Sequence, residues 1–158
     1  MIDARGERWG FQHAWANEFD PHTVETYKRN ILKNADATTV YCEDVRKFDL
    51  DNRKLLGDID ALIFGFPCND FSVVGKQKGL GGTYGPLYTY GVKVLKNYQP
   101  SVFIAENVGG LSSANDGAAF TQILEAMRSA GYTVTPNLYK FEEYGVPQAR
   151  RPPLHQRY

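Results

Sequence analysis

Short apolar runs alternate along the chain with stretches whose apolar residues recur every three or four positions. The first run, "HAWAN" (13–17), predicts a short strand ending at Glu18-Phe19-Asp20. Asp20 followed by Pro21 is an N-cap and a first-turn proline, so a helix is predicted from Pro21 to about Asn30. "TTVYC" (38–42) is a β-branched strand leading to Glu43-Asp44, and "DALIFGF" (60–66) is a continuous apolar run, as expected of a strand buried on both faces. From Pro86, Leu87, Tyr90, Gly91, Val94 and Tyr98 share one helical face. "SVFIAEN" (101–107) predicts a second buried strand. Asp116 is placed to cap a helix that turns Phe120, Ile123, Leu124 and Met127 inward and stops at Gly131. "YTVTPNLYKF" (132–141) predicts a last strand, with Pro136 marking an edge or a bulge.

Strands alternating with helices of this length predict an α/β fold with a mainly parallel sheet. Ligands of such sheets gather beyond the carboxyl ends of the strands. Glu18 ends the first strand, Asp44 follows the second, Cys68 the third, and Glu106 closes the fourth. The pattern therefore delivers polar groups from four strands to one predicted rim.

Composition narrows the class. The chain has 158 residues, 42% hydrophobic and 23% charged, which fits one ordinary soluble domain and gives no run long enough to span a membrane. "MIDARGERWG" lacks the apolar core of a signal peptide, so a cytoplasmic protein is expected. Two cysteines, Cys42 and Cys68, make no disulfide framework and are expected to be thiols. Nothing in the spacing of cysteines and histidines suggests a metal. The net charge is zero, so the whole chain does not attract nucleic acid, although Lys76, Lys78, Arg150, Arg151 and Arg157 are locally basic.

Cys68 is the residue least like a core residue. A free cysteine is commonly a packed small hydrophobe, but this one follows Pro67 and opens the glycine-rich stretch "CNDFSVVGKQKGLGG". A thiol presented in this way can act as a nucleophilic thiolate. Glu106 could be a capping or surface acid; at the end of a buried strand it is expected to be a buried proton donor. Glu18 and Asp44 could be helix-capping acids, yet Asp20 already meets that need, and an acid at a strand end of this kind of sheet commonly binds ribose hydroxyls. Together these residues point to a nucleoside-type cofactor beside a cysteine nucleophile and an acid.

The segments "GFPCNDFS", "GKQKGL", "ENV" (106–108) and "YGVPQAR" (144–150), in this order, resemble the C5-cytosine DNA methyltransferases over nearly the whole chain. The resemblance implies a Rossmann-like methyltransferase fold with S-adenosyl-L-methionine as cofactor and double-stranded DNA as partner. It implies that Glu18 holds the ribose hydroxyls, Phe19 packs on the adenine, Asp44 accepts from the adenine amino group, and Pro67 and Leu87 line the pocket. Cys68 is then the nucleophile, Glu106 the acid on the base, and Arg150 one of two motif arginines. Ser72, Lys76, Gln77 and Lys78 lie on a loop that would close over a flipped base and meet the DNA backbone.

The chain also departs from that family. "MIDARGERWGF" resembles the end of the family's first helix, so the first strand and its glycine loop are expected to be missing, leaving strand edges unpaired. Pro152 stands where the second motif arginine is expected, and the strands and target recognition domain that follow are not found by Tyr158. One truncated catalytic domain over 1–158 is the resulting expectation, inactive or weakly active by itself. The alternatives are a catalytically dead remnant or interaction module, one part of a split enzyme completed by a second polypeptide, or the same chemistry on transfer RNA. Moving the frame by one base after codon 151 lets codons for Pro-Pro-Leu-His-Gln read Arg-Leu-Tyr-Ile, which predicts a one-nucleotide frameshift that the gene sequence would reveal or refute.

Overall fold

The computed structural model describes residues 10, 12–32, 37–67, 87–108, 111, 117–139 and 141–145. It divides into two units, Met1–Ile59 and Asp60–Tyr158, and each is built around a parallel pair of strands joined through a helix.

In the first unit β1 (Ala16–Glu18) leads to α1 (Pro21–Asn30) and returns, through a 3-10 turn at Ala37–Thr39, to β2 (Val40–Cys42). Helix α1 starts where the sequence predicts: the Asp20 carboxylate accepts from the Thr23 amide at 2.8 Å and from its hydroxyl at 2.6 Å, and Pro21 opens the first turn. Strand β1 lies at the end of the predicted run, with His13 ahead of it. The His13 ring lies within hydrogen-bond distance of Tyr27 on α1 (3.1 Å) and Thr39 ahead of β2 (3.0 Å). Ala16 pairs with Val40 and Glu18 with Cys42. Val24, Val40, Phe48, Leu50 and Leu56 are buried, with the Phe48 ring 4.9 Å from Tyr41 and 6.2 Å from Trp15. The short α2 (Arg53–Leu56), capped by Asn52, buries Leu56.

In the second unit β3 (Ala61–Gly65) pairs in parallel with β4 (Val102–Glu106), and α3 (Tyr88–Tyr98) lies between them in the chain, followed by α4 (Ala118–Arg128). Residues paired in register share a face. Leu62, Phe64, Phe103 and Ala105 form one face, and rings continue along it: Phe64 to Phe66 at 6.2 Å, Phe66 to Tyr88 at 6.2 Å, Phe103 to Tyr132 edge-on at 5.1 Å. Helix α3 sits so close to this face that a Cβ on Gly91 would overlap the Phe64 ring. Its buried residues are Tyr88, Val92, Val94, Leu95 and Tyr98, whereas Leu87, Tyr90 and Gly91 of the predicted stripe are half-buried. Gln99 ends α3 in the left-handed region (φ 48°), and its side chain donates to the Leu95 carbonyl at 2.9 Å and the Ala130 carbonyl after α4 at 3.2 Å. Helix α4 buries Ile123 and Met127 as its period predicts, and Ala119 besides, with Phe120 and Leu124 half-buried. The predicted cap Asp116 lies outside the described residues, and Gly117 (φ 82°) occupies the N-cap.

Two expectations fail. β3 and β4 are covered on one face only: Ile63, Val102 and Ile104, on the other face, are 68, 50 and 58% exposed. The apolar runs reported what these strands are made of, but burial depends on what packs over them. The strand expected at 132–141 is also absent among the described residues: 132–139 forms no ladder and Phe141–Tyr144 is a 3-10 turn. Pro136 has no amide to donate, and alternating apolar residues make a strand only where a partner edge receives them.

Candidate active site

In the first unit two acids lie beyond neighbouring strand ends. Glu18 closes β1, and its Oε1 accepts from the backbone amides of Phe19 (2.8 Å) and Asp20 (3.0 Å), which fixes the carboxylate over the turn into α1. The ladder runs one step past the strands: the Glu43 amide donates to the Glu18 carbonyl at 3.0 Å, and the Asn17 side chain donates to the Glu43 carbonyl at 2.9 Å. Asp44 is the next residue. Its carboxylate accepts from the Arg46 amide and Nε, both at 2.9 Å to Oδ1, and forms an ion pair with Arg46 Nη2. Hydrogen bonding to the Arg46 side chain, then to its amide, holds the Asp44 carboxyl down at about 2. Beside these acids Phe19 is 74% exposed.

A carboxylate for a diol, a bare aromatic ring for a planar base and an ionised acceptor for an amino group are what a nucleoside needs. Glu18, Phe19 and Asp44 fit that description by their chemistry and by their place at adjoining strand ends. Arg46 and Asn17 were not singled out in the sequence. The Asp-x-Arg spacing in a polar turn was the only signal for Arg46, and it does not reveal which way a long side chain folds.

In the second unit Glu106 ends β4, paired in register with Gly65 at the end of β3. A Cβ on Gly65 would meet Glu106 Oε2 at 3.5 Å, ordinary van der Waals contact, so the carboxylate lies against the end of β3. Glu106 shares the uncovered face with Val102 and Ile104 and is exposed, so the expected buried acid is corrected. The next residue, Asn107, is turned the other way. Its side chain donates to the Phe66 carbonyl at 2.8 Å and accepts from the Val108 amide at 2.8 Å, tying the ends of β3 and β4 together. Pro67 follows Phe66 at that tie and is half-buried, and Leu87 precedes α3 with helical backbone angles. Cys68, Ser72, Lys76, Gln77, Lys78 and Arg150 lie outside the described residues. Among the described residues no group of three acids, histidines or cysteines could hold a metal ion, and no helix is long and apolar enough to cross a membrane.

Residues 2–151 match the profile of a family described as C-5 cytosine-specific DNA methylase. The chain is 56% identical over 154 residues to the Type II methyltransferase M.BbvI of Brevibacillus brevis, a match covering 95% of this chain and 41% of that protein. It is 38% identical over 149 residues to the Type II methyltransferase M.NgoFVII of Neisseria gonorrhoeae (94% of this chain, 38% of that protein) and 33% identical over 152 residues to M.FnuDI of Fusobacterium nucleatum (94 and 41%). The chain thus spans about two fifths of the length of these relatives.

Proposed function

The chain belongs to the C-5 cytosine-specific DNA methylase family, and from that premise we propose that it carries the catalytic core of a DNA (cytosine-5-)-methyltransferase of the restriction–modification type. The strand–helix–strand units with parallel pairing are consistent with a Rossmann-like methyltransferase sheet. Glu18 would hold the ribose hydroxyls of S-adenosyl-L-methionine, Phe19 would stack on its adenine, Asp44 would accept from the adenine amino group, and Pro67 and Leu87 would line the pocket. That cofactor supplies, when bound, an electrophilic methyl group.

The protein side of the reaction follows from the weakness of cytosine C5 as a nucleophile. The base leaves the duplex. The Cys68 thiolate forms a bond to C6, and the ring electrons move toward N3, where Glu106 delivers a proton. C5 thereby gains enamine character. Once C5 carries the methyl group, loss of its own proton restores the C5–C6 double bond and expels the thiolate. Arg150 would act beside Cys68 and Glu106 as the one motif arginine present, Pro152 standing in place of the second, while Ser72, Lys76, Gln77 and Lys78 would meet the DNA backbone.

The observation that carries this reading is the register of Glu106 with Gly65. The acid stands beside the strand that reaches Cys68 within three residues, at a junction pinned by Asn107. The test is trapping. A duplex in which every cytosine is replaced by 5-fluorocytosine cannot lose a proton from C5, so with S-adenosylmethionine the chain should remain attached through denaturing electrophoresis, and Cys68→Ser should abolish the band. Wild-type chain that forms no adduct overturns activity of the chain alone and leaves a catalytically dead remnant or an enzyme completed by a second polypeptide.

The uncovered face at Ile63, Val102 and Ile104 favours a second reading, a methyltransferase completed by another polypeptide. Adduct formation by the pure monomeric chain would count against it.

A further inference from the structure

The Asp44 carboxylate is held more firmly than an acid on a polar turn needs to be. Its own carbonyl accepts from the Lys47 amide at 2.8 Å and the Phe48 amide at 3.1 Å, and Phe48 anchors that turn among Tyr41 and Trp15. From the other side Arg46 Nε reaches both oxygens, Oδ1 at 2.9 Å and Oδ2 at 3.0 Å, while Nη2 pairs with Oδ2 and the Arg46 amide adds a bond to Oδ1. A guanidinium fork of this kind fixes the plane of a carboxylate as well as its charge. These contacts share one Nε–H between both oxygens and so use three hydrogens, which of a carboxylate's about four lone-pair sites leaves one for a further donor. The plain alternative is a half-exposed surface ion pair between residues two apart, a kind of contact that contributes little to stability. Its position at the end of β2, next to the Glu18–Glu43 ladder bond, sets this pair apart from an incidental surface contact.

We propose that Arg46 is a positioning residue that sets the preference of this site for a 6-aminopurine nucleoside by holding Asp44 as a fixed, acceptor-only carboxylate. The proposal rests on the reading of Asp44 as the acceptor for the adenine amino group. A 6-amino group donates to such a carboxylate. A 6-oxo group presents a second acceptor to it and leaves both unpaired, which is the kind of mismatch by which polar sites discriminate most strongly. Without the guanidinium the carboxylate can rotate, and its selectivity drops although its charge remains.

The experiment is calorimetric titration of the intact chain with S-adenosylhomocysteine and with its 6-oxo counterpart, S-inosylhomocysteine. Wild type should prefer the amino form by at least about tenfold. Arg46→Ala should narrow that preference toward unity with the same thermal melt, Arg46→Lys should retain part of it, and the Asp44→Asn, Arg46→Ala double variant should be no worse than Asp44→Asn alone. If Asp44→Asn abolishes the preference while Arg46→Ala leaves it intact, the role of Arg46 is overturned and the reading of Asp44 stands. If wild type binds neither compound, or both equally, that reading itself fails and the proposal falls with it. A lowered melt in Arg46→Ala accompanied by equal weakening for both compounds marks a merely structural role and also overturns the proposal.

Discussion

Two carboxylates at the ends of local turns show how far one side chain sets the behaviour of another. The folded Asp44 titrates near 2 against an ordinary 3.8, mainly through its hydrogen bond to Arg46. A lowered acid contributes its stabilisation fully above the unfolded value and loses it as pH falls through the folded one, here between about 4 and 2. Carboxyl carbon NMR should therefore place the Asp44 midpoint near 2 in wild type and return it toward 3.8 in Arg46→Ala. Asp20 is lowered for a different reason, its bonds to the Thr23 hydroxyl and amide. Asp20→Ala should speed hydrogen exchange at the Thr23 amide and fray the first turn of α1, while the last turn keeps its protection. Asn107 joins two strand ends by one donated bond. Asn107→Asp removes that donor and sets a negative oxygen against the Phe66 carbonyl. Adduct formation on 5-fluorocytosine duplex should fall by about tenfold or more, the cost expected of misplacing a catalytic group by a fraction of an ångström, with a small change in melting temperature.

Among the elements, α3 and the strand beneath it are matched by a missing side chain. Gly91→Ala should gain about 1 kcal/mol of helix propensity and lose about 1–3 kcal/mol to overpacking against Phe64, for a net loss in chemical denaturation. Phe64→Leu in the same background should recover part of it, because the overlap is with that ring. The elements that could be read in the sequence are those written in local chemistry. Asp20 and Pro21 punctuate α1 without help from the rest of the chain, and the spacing of Ile123 and Met127 marks the inner side of α4. What escaped depends on distant partners. Nothing in "VFIAE" says that one side of β4 stays bare, and nothing in "YTVTPNLYKF" says that no ladder receives it. Of the candidate site, the places of Glu18 and Glu106 at strand ends were legible. The fork on Asp44 and the tie made by Asn107 were not, because both depend on side-chain direction.

At the scale of the whole molecule, the first unit holds Glu18, Phe19 and Asp44, proposed for the nucleoside, and the second holds Glu106 with the strand that leads to Cys68. Faults in each should therefore show in different assays, ligand titration for Glu18 and Asp44, adduct trapping for Glu106. The exposed Ile63 and Ile104 should bind a hydrophobic dye such as ANS, and replacing both by Ser should reduce the fluorescence with far-UV circular dichroism unchanged. The one-to-one pairing from Ala61–Val102 to Gly65–Glu106 also bears on how a gene of this kind can drift in length. Dropping a single codon just ahead of Val102, so that β4 slips one residue against β3, would exchange the two sides of the strand, moving the Phe103 ring out to solvent and the Glu106 carboxyl in among aromatic rings. Codons at 133–139, which join no ladder, carry no such constraint, so length variants should survive selection there and be purged from 102–106.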